Sequence, residues 1–142
     1  MFQITLLILF LGQWYDNIMT FNESVTTCLK KYFVFEGRAS RSEYWWFQLI
    51  VTPSYLIAEI LKNEISYLFY GILIFAFIPA ISAGVRRLHD TNRSGFFLLI
   101  SFIPIIGSFI LLFFLIPEGT KGKNRFGPDP LKRTVKKGQR KK

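Results

Sequence analysis

Three short polar stretches of this 142-residue sequence carry the side chains that could do chemistry. They are FEGRASRSEYWW at Phe35–Trp46, RRLHDTNRSG at Arg86–Gly95 and GTKGKNRFGPDP at Gly119–Pro130. In the second stretch His89 stands beside Asp90, and these are the residue types of a general base and of the carboxylate that orients it. Consecutive residues of a helix do not face each other, so the pair is poorly placed for a proton relay. Since no G-x-S-x-G turn accompanies it, we predict no catalytic site and no enzymatic activity.

The third stretch combines glycines and prolines in a way that is typical of successive tight turns. It lacks the G-K-[ST] ending of a phosphate-binding loop. We predict a folded turn that docks against Arg86–Gly95, with Asp129 pairing with an arginine there, and the alternative is a flexible linker. The side chains expected to form this turn are Asn124, Arg125, Phe126, Gly127 and Asp129.

The composition limits the classes of protein and of site. Hydrophobic residues make up 51% of the chain, charged residues 19%, and the net charge is +9. This is too apolar for a disordered basic chain and too poor in charge for an ordinary soluble domain. Because the chain has a single cysteine, Cys28, and a single histidine, we expect no internal disulfide, no metal site and no cofactor.

The elements that must position the three stretches are apolar segments of membrane length. Ile65–Val85 and Phe96–Ile116 each have 21 residues without a charge, and as helices they would be about 31 Å long, the thickness of a bilayer core. A further segment, 41–62, follows a capping pattern at Ser40 and Glu43. Only Lys62, Asn63 and Glu64 separate its apolar part, Trp45–Leu61, from the next apolar segment, so the two should form an antiparallel hairpin. The fold class predicted is an all-α, polytopic membrane protein, and the alternative is a very hydrophobic soluble bundle.

The third segment, 96–116, contains Pro104 and Gly107 at its centre. Proline removes a backbone donor and biases the preceding residue away from the helix. The segment is therefore either a kinked single span or a re-entrant pair of short helices, and broken backbone at membrane depth requires cover from protein or water. Re-entry would place all three basic regions in the cytoplasm, which we favour over three plain spans or a dual orientation.

The two ends of the chain differ from this membrane domain, which we assign to residues 22–130. Residues 1–21 are an apolar extension, and Met19 is an alternative start. An apolar stripe within 22–36 indicates an interfacial helix that Gly37 would end, and the alternative is a soluble helix whose apolar face packs on the ends of the hairpin. Residues 117–130 form the Gly/Pro-rich turn, and 131–142 a disordered basic tail.

Within the apolar segments, small residues recur every fourth position at Ala76, Ala80 and Gly84. Such a stripe permits close packing, either against the preceding helix or against a second copy. Glu59 is the one charge of the 45–61 stretch and lies near the interface. A polar path for transport would need the side chains that interrupt the apolar segments, which are Gln48, Ser54, Glu59, Ser82 and Ser101.

In this order and between apolar segments, the three polar stretches resemble the YhaH-like bacterial inner-membrane family, catalogued as domain of unknown function 805. The resemblance covers about Cys28 to Pro130. It implies a small polytopic inner-membrane protein without an established activity. Phe96 and Phe97 stand where the family usually has tryptophan, and Lys121 and Lys123 make the third stretch more basic than usual.

We therefore expect a multi-pass inner-membrane protein that acts as a binding or structural module. Its ligands would be anionic lipid headgroups or a protein partner, because the planar fork of arginine fits phosphate oxygens. The alternative for Arg38 and Arg41 is a membrane anchor. The alternative for Arg86–Gly95 is a self-paired loop that sets the topology, in which Arg86 and Asp90 would lie on one face at i, i+4 if the preceding helix continues. A homo-oligomer is open, nucleic-acid binding is disfavoured, and a small oligomeric transporter or channel subunit is the alternative function. The residues predicted to bind are Arg38, Arg41, Arg86, Arg87, His89, Asp90 and Arg93.

Overall fold

The computed structural model describes residues 19–131, which are helical apart from turns. The elements are helices α1 (Phe21–Lys30), α2 (Arg41–Leu61) and α3 (Ser66–Asp90), a 3-10 helix (Gly95–Phe102) and α4 (Ile106–Leu115). The extension predicted at 1–21 and the tail predicted at 131–142 lie, apart from residues 19–21 and 131, outside the described residues.

Helix α1 is shorter than the predicted interfacial helix. It begins with a capping box between Thr20 and Glu23 and ends at Lys30, six residues before the predicted end. The chain turns early because the Ser82 hydroxyl on α3 donates to the carbonyls of Lys31 (3.0 Å) and Val34 (2.7 Å). These bonds hold the turn after α1 against α3.

Helices α2 and α3 form the predicted hairpin and pack along each other. The Ser40 side chain accepts from the backbone N–H of Glu43, so α2 begins where the capping pattern indicates. The chain reverses through Lys62, which has a left-handed φ of 44°. Helix α3 continues to Asp90, five residues beyond the predicted end of the apolar segment at Val85. The arginines thus sit on the last turn of a rigid helix.

The predicted third segment is broken at its centre. The 3-10 helix ends at Phe102, Ile105 has a φ of 63°, and α4 begins at Ile106. The arms pack against each other, and a Cβ on Gly107 would overlap the Ile100 carbonyl. The segment starts directly after α3, and just beyond α4 the N–H of Thr120 bonds to the Asp90 carbonyl (2.8 Å). The segment is therefore a hairpin, named here the short hairpin, whose ends meet at the C-terminal end of α3.

The small-residue stripe of α3 packs inside the chain. Ala76 is buried, and a Cβ on Gly84 would lie 3.3 Å from the Leu98 side chain of the short hairpin and 3.8 Å from Tyr44 of α2. Ala80 packs against the same core. The small-residue stripe, for which the sequence allowed two packing partners, thus packs against the preceding helix and the short hairpin.

Large apolar side chains cover the outside of the described helices. Ile60, Ile74, Phe96, Phe102 and Phe113 are all mostly exposed. By length and composition α3 can cross a membrane, and it is the one described helix that meets both criteria. Three full spans are not confirmed, because neither arm of the short hairpin has spanning length.

Candidate functional site

Five charged side chains from the first two polar stretches are buried together at the C-terminal end of α3, which we call the motif end. Three are cations and two are anions, and each is at most 5% exposed. We refer to them as the buried ion cluster, which consists of Arg38, Glu43, Arg86, Arg87 and Asp90.

Asp90 is the acceptor that two arginines share. Arg38 donates through Nε at 2.8 Å, and its Nη2 lies 2.8 Å from the same carboxylate oxygen. Arg87, one turn earlier on α3, donates to the other oxygen. One carboxylate at the end of α3 thus holds the turn before α2 through Arg38.

Glu43 and Arg86 form the second ion pair of the cluster, between α2 and α3. Lys31 approaches the same Glu43 oxygen at 3.8 Å. The Arg86 Nε and Nη2 atoms are buried and have no hydrogen-bond partner among the described residues. Arg86 is therefore paired by charge but not fully satisfied in hydrogen bonding.

The remaining donors of Arg38 and Arg87 bind backbone carbonyls that end the short hairpin and begin the third stretch. Arg87 Nε donates to the Leu115 carbonyl (3.0 Å), and its Nη2 donates to that of Pro117. Arg38 donates to the carbonyls of Gly122 (2.5 Å) and Thr120. The last carbonyls of a helix have no partner within it, so these arginines supply what water would supply elsewhere.

The third polar stretch docks against the second, as predicted. Asn124 donates to the His89 carbonyl (2.9 Å), and the Phe126 ring stacks on the His89 ring at 3.9 Å and 4°. The Arg125 guanidinium lies over the Phe126 ring, 4.6 Å from its centroid. A small tertiary contact therefore replaces the flexible linker that the sequence left open.

Gly119 is the point of closest approach between these stretches. A Cβ at this position would overlap the Asp90 carboxylate. The N–H and the side-chain hydroxyl of the next residue, Thr120, both donate to the Asp90 carbonyl. Asp90 is thus contacted from the third stretch at its backbone and is crowded by it at its carboxylate.

Cys28 lies beside the cluster on α1. Its thiol faces the Glu43 carbonyl at 3.7 Å, and the Ser24 hydroxyl donates to the same carbonyl at 2.6 Å. Burial raises the pKa of the Cys28 thiol to about 12, and the Glu43 charge acts in the same direction. At neutral pH the thiol is protonated and a poor nucleophile.

Three of the five predicted binding arginines, Arg38, Arg86 and Arg87, are buried and do not lie on an open surface. Their donors face acids and carbonyls because the first and third stretches fold over the end of α3. Arg86 does not pair with Asp90, since Arg87 and Arg38 occupy that carboxylate. Asp129 does not form the predicted pair with an arginine but accepts from the backbone N–H groups of Gly122 and Leu131.

The exposed or half-exposed cations form a basic rim around the cluster. Among them, the Arg93 guanidinium lies over the Phe114 ring of the short hairpin, 4.5 Å from its centroid. Arg41 lies 4.0 Å from Glu118. The members of the basic rim are Lys30, Lys31, Arg41, Arg93, Lys121, Lys123 and Arg125. Whether the rim binds a headgroup or a partner stays a prediction.

The sequence reasoning missed Glu43, Gly119 and Thr120 as site residues. Glu43 was recognised only as a capping residue, although an acid within an arginine-containing stretch signals an ion pair as well. Gly119 and Thr120 were within the third stretch but carried no charge. Within residues 19–131 no three His, Cys, Asp or Glu side chains are grouped so that they could hold a metal.

Residues 19–131 are helical apart from turns, include an apolar helix of spanning length, have a wide apolar exterior and carry most of their charges at one end, and this combination defines a small membrane protein. The profile of a family described as "Protein of unknown function (DUF805)" matches residues 32–128. The chain belongs to this family.

Two curated relatives from Escherichia coli strain K12 are similar over most of the chain. "Inner membrane protein YhaI" is 43% identical over 122 residues, which cover 83% of this chain and 95% of the relative. "Inner membrane protein YhaH" is 40% identical over 112 residues, which cover 72% of this chain and 91% of the relative. No solved structure matches.

Proposed function

We propose that this protein is a multi-pass, non-catalytic inner-membrane module whose motif end faces the cytoplasm and whose basic rim binds anionic lipid headgroups. The inner-membrane names of the relatives and the apolar exterior support the location. The observation that carries the proposal is the division of the cations into a buried set with internal partners and an exposed rim at the same end.

The distribution of basic residues supports the orientation. Ten of the eleven Lys and Arg within residues 19–131 lie at the motif end, and the other, Lys62, lies at the opposite end. Because the short hairpin brings the chain back, Leu131 is also at the motif end, and seven further Lys and Arg follow it in sequence. Basic residues near membrane segments favour the cytoplasmic side.

Headgroup binding falls to the rim because the buried arginines are occupied. A cation near an anionic leaflet contributes about 1 kcal/mol. Arg93 is the best placed, since its contact with Phe114 puts a guanidinium at the boundary between the apolar hairpin and the polar cluster. Ten basic against six acidic residues leave the motif end of residues 19–131 net positive.

The orientation is tested with a single cysteine at position 123 in a Cys28→Ser background. We expect an impermeant thiol reagent to leave it unlabelled in intact cells and to label it after the cells are opened. Labelling in intact cells would place the motif end outside and overturn the orientation.

The headgroup site is tested by the lipid retained on purification. We expect Arg93→Gln combined with Lys121→Gln and Lys123→Gln to lower retained phosphatidylglycerol, measured by native mass spectrometry. Lys62→Gln at the opposite end is the matched control. Equal retention by the triple variant and the control would overturn the headgroup site.

The transporter alternative has no observation in its favour. The polar side chains that would line a path bond locally: Gln48 to the Tyr44 hydroxyl, Ser54 to the Ile50 carbonyl, and Ser101 to the Leu98 carbonyl. Glu59 is exposed and accepts from the Tyr70 hydroxyl at 3.3 Å. Transport therefore stays a prediction without structural support.

A further inference from the structure

The membrane-facing elements are of two very different lengths. Helices α2 and α3 have 21 and 25 residues and are about 31 and 37 Å long at 1.5 Å per residue. The arms of the short hairpin have 8 and 10 residues, which correspond to about 15 Å each. A hairpin whose ends are both at the motif end therefore reaches at most half-way through a hydrocarbon core of about 30 Å.

The N-terminal elements lie on the same half of the membrane as the short hairpin. The Tyr32 hydroxyl donates to the Phe75 carbonyl of α3 at 2.6 Å, and Phe33 next to it is mostly exposed. Helix α1 and this turn thus occupy the half of the membrane, or its surface, that the short hairpin occupies. Within the described residues, the opposite half contains only the Lys62 ends of α2 and α3.

We propose that the protein is a membrane wedge, broader in the leaflet at its motif end, and that it favours bilayers that are convex toward that end. The physical basis is area: α2 and α3 displace lipid in both leaflets, whereas the short hairpin, α1 and its turn displace lipid in one. Binding of elements that insert into one leaflet is sensitive to curvature. The partner of this apolar surface is therefore a lipid leaflet of expanded area.

The exposed side chains of the short hairpin strengthen the wedge. Phe102 and Phe109, on either side of the hairpin's tip, are 81% and 69% exposed, and they enlarge the cross-section in the leaflet that the short hairpin occupies. At the opposite end Ile60 and Leu68 are 79% and 66% exposed. These pairs allow the width of either end to be changed without touching the core.

The wedge is tested by orientation in vesicles of neutral phosphatidylcholine. Protein with a single reactive cysteine in place of Lys123 is reconstituted into small sonicated and large extruded vesicles. The fraction labelled from outside by an impermeant maleimide is measured. We expect this fraction to rise as the diameter falls, because the outer leaflet of a small vesicle is the expanded one. A fraction independent of diameter would overturn the proposal.

Two variants test the cause. Phe102→Ala with Phe109→Ala should weaken the dependence on diameter, whereas Ile60→Ala with Leu68→Ala should strengthen it. Cys28, which is buried, should stay unlabelled in each folded variant and reports any that unfold. Equal dependence in both variants would overturn the assignment to the short hairpin.

The wedge deepens the proposed function, since it specifies the shape of the lipid surface that the motif end contacts. The vesicles contain no anionic lipid, so failure of the wedge leaves headgroup retention untouched. Conversely, an outside location of the motif end in cells would overturn the proposed orientation without changing the vesicle result.

Discussion

Replacement of Asp90 by asparagine removes the charge that joins the three polar stretches. The two arginines that share this carboxylate, Arg38 and Arg87, have side chains 1% and 0% exposed. Asparagine is nearly isosteric but keeps one carbonyl acceptor and introduces two N–H donors. In either orientation of the amide, one of the two guanidinium groups faces the NH2 donor and the other faces a neutral carbonyl acceptor in place of a carboxylate.

The loss should be large because the cations are buried. Removing one partner of a buried ion pair costs about 3–5 kcal/mol, since the remaining charge lacks both water and a counter-ion. Typical domains have only about 5–15 kcal/mol of unfolding free energy. We therefore expect Asp90→Asn to lose a large part of the stability and to loosen the stretch from Gly119 onward, where Arg38 binds the carbonyls.

The free energy of unfolding is measured by titration of the protein in mixed micelles with sodium dodecyl sulfate, followed by tryptophan fluorescence. Asp129→Asn is the matched control, because Asp129 accepts only two backbone N–H groups and asparagine retains an acceptor. It should cost about 1 kcal/mol or less. Equal costs for the two variants would refute the reasoning that Asp90 is the central counter-ion.

Two further predictions concern neighbouring residues. Gly119→Ala should destabilise the protein by about 1–3 kcal/mol, because its Cβ overlaps the Asp90 carboxylate. The control Gly71→Ala, at a position with open space around it, should change stability by about 1 kcal/mol or less. The same titration measures both variants, and similar effects would contradict the overlap. Cys28 should resist maleimide at neutral pH and react on unfolding. Because the folded pKa of its thiol is about 12 and the unfolded value is near 9.0, the folded state retains the proton longer, so unfolding free energy should fall as pH rises above about 9, an effect that Cys28→Ser should remove.

The sequence predicts the helices well where the signal is local. The cap at Ser40, the short link after α2, and the break near Pro104 all depend on neighbouring residues, and the structure shows each of them. The end of α1 was missed because it is set by Ser82, 48 or more residues away. The sequence left the end of α3 open, because a polar, charged run after an apolar helix is equally typical of a loop.

The ion pairs could not be predicted from the sequence, again because the partners are far apart along the chain. Glu43 and Arg86 are 43 residues apart, and Arg38 and Asp90 are 52 apart. From the spacing alone, Arg86 to Asp90 is the pair on one helix face. Only the fold shows that Arg87 pairs with Asp90 in place of Arg86. It also shows that the first stretch supplies a partner to both, Arg38 for Asp90 and Glu43 for Arg86.

Arginine is suited to the end of α3 by the number and direction of its N–H donors. This affects how arginine-rich stretches between apolar segments are interpreted. A guanidinium has five N–H donors in a fixed plane, whereas an ammonium has three on a point charge. Arg87 uses that plane to reach Asp90, the carbonyl of the last residue of α4 and the Pro117 carbonyl just beyond it. Any chain that returns from a membrane hairpin must satisfy such terminal carbonyls, and a paired arginine on a neighbouring helix end does so without water. An arginine-rich stretch between apolar segments therefore indicates internal capping of a helical hairpin as readily as it indicates an anionic ligand.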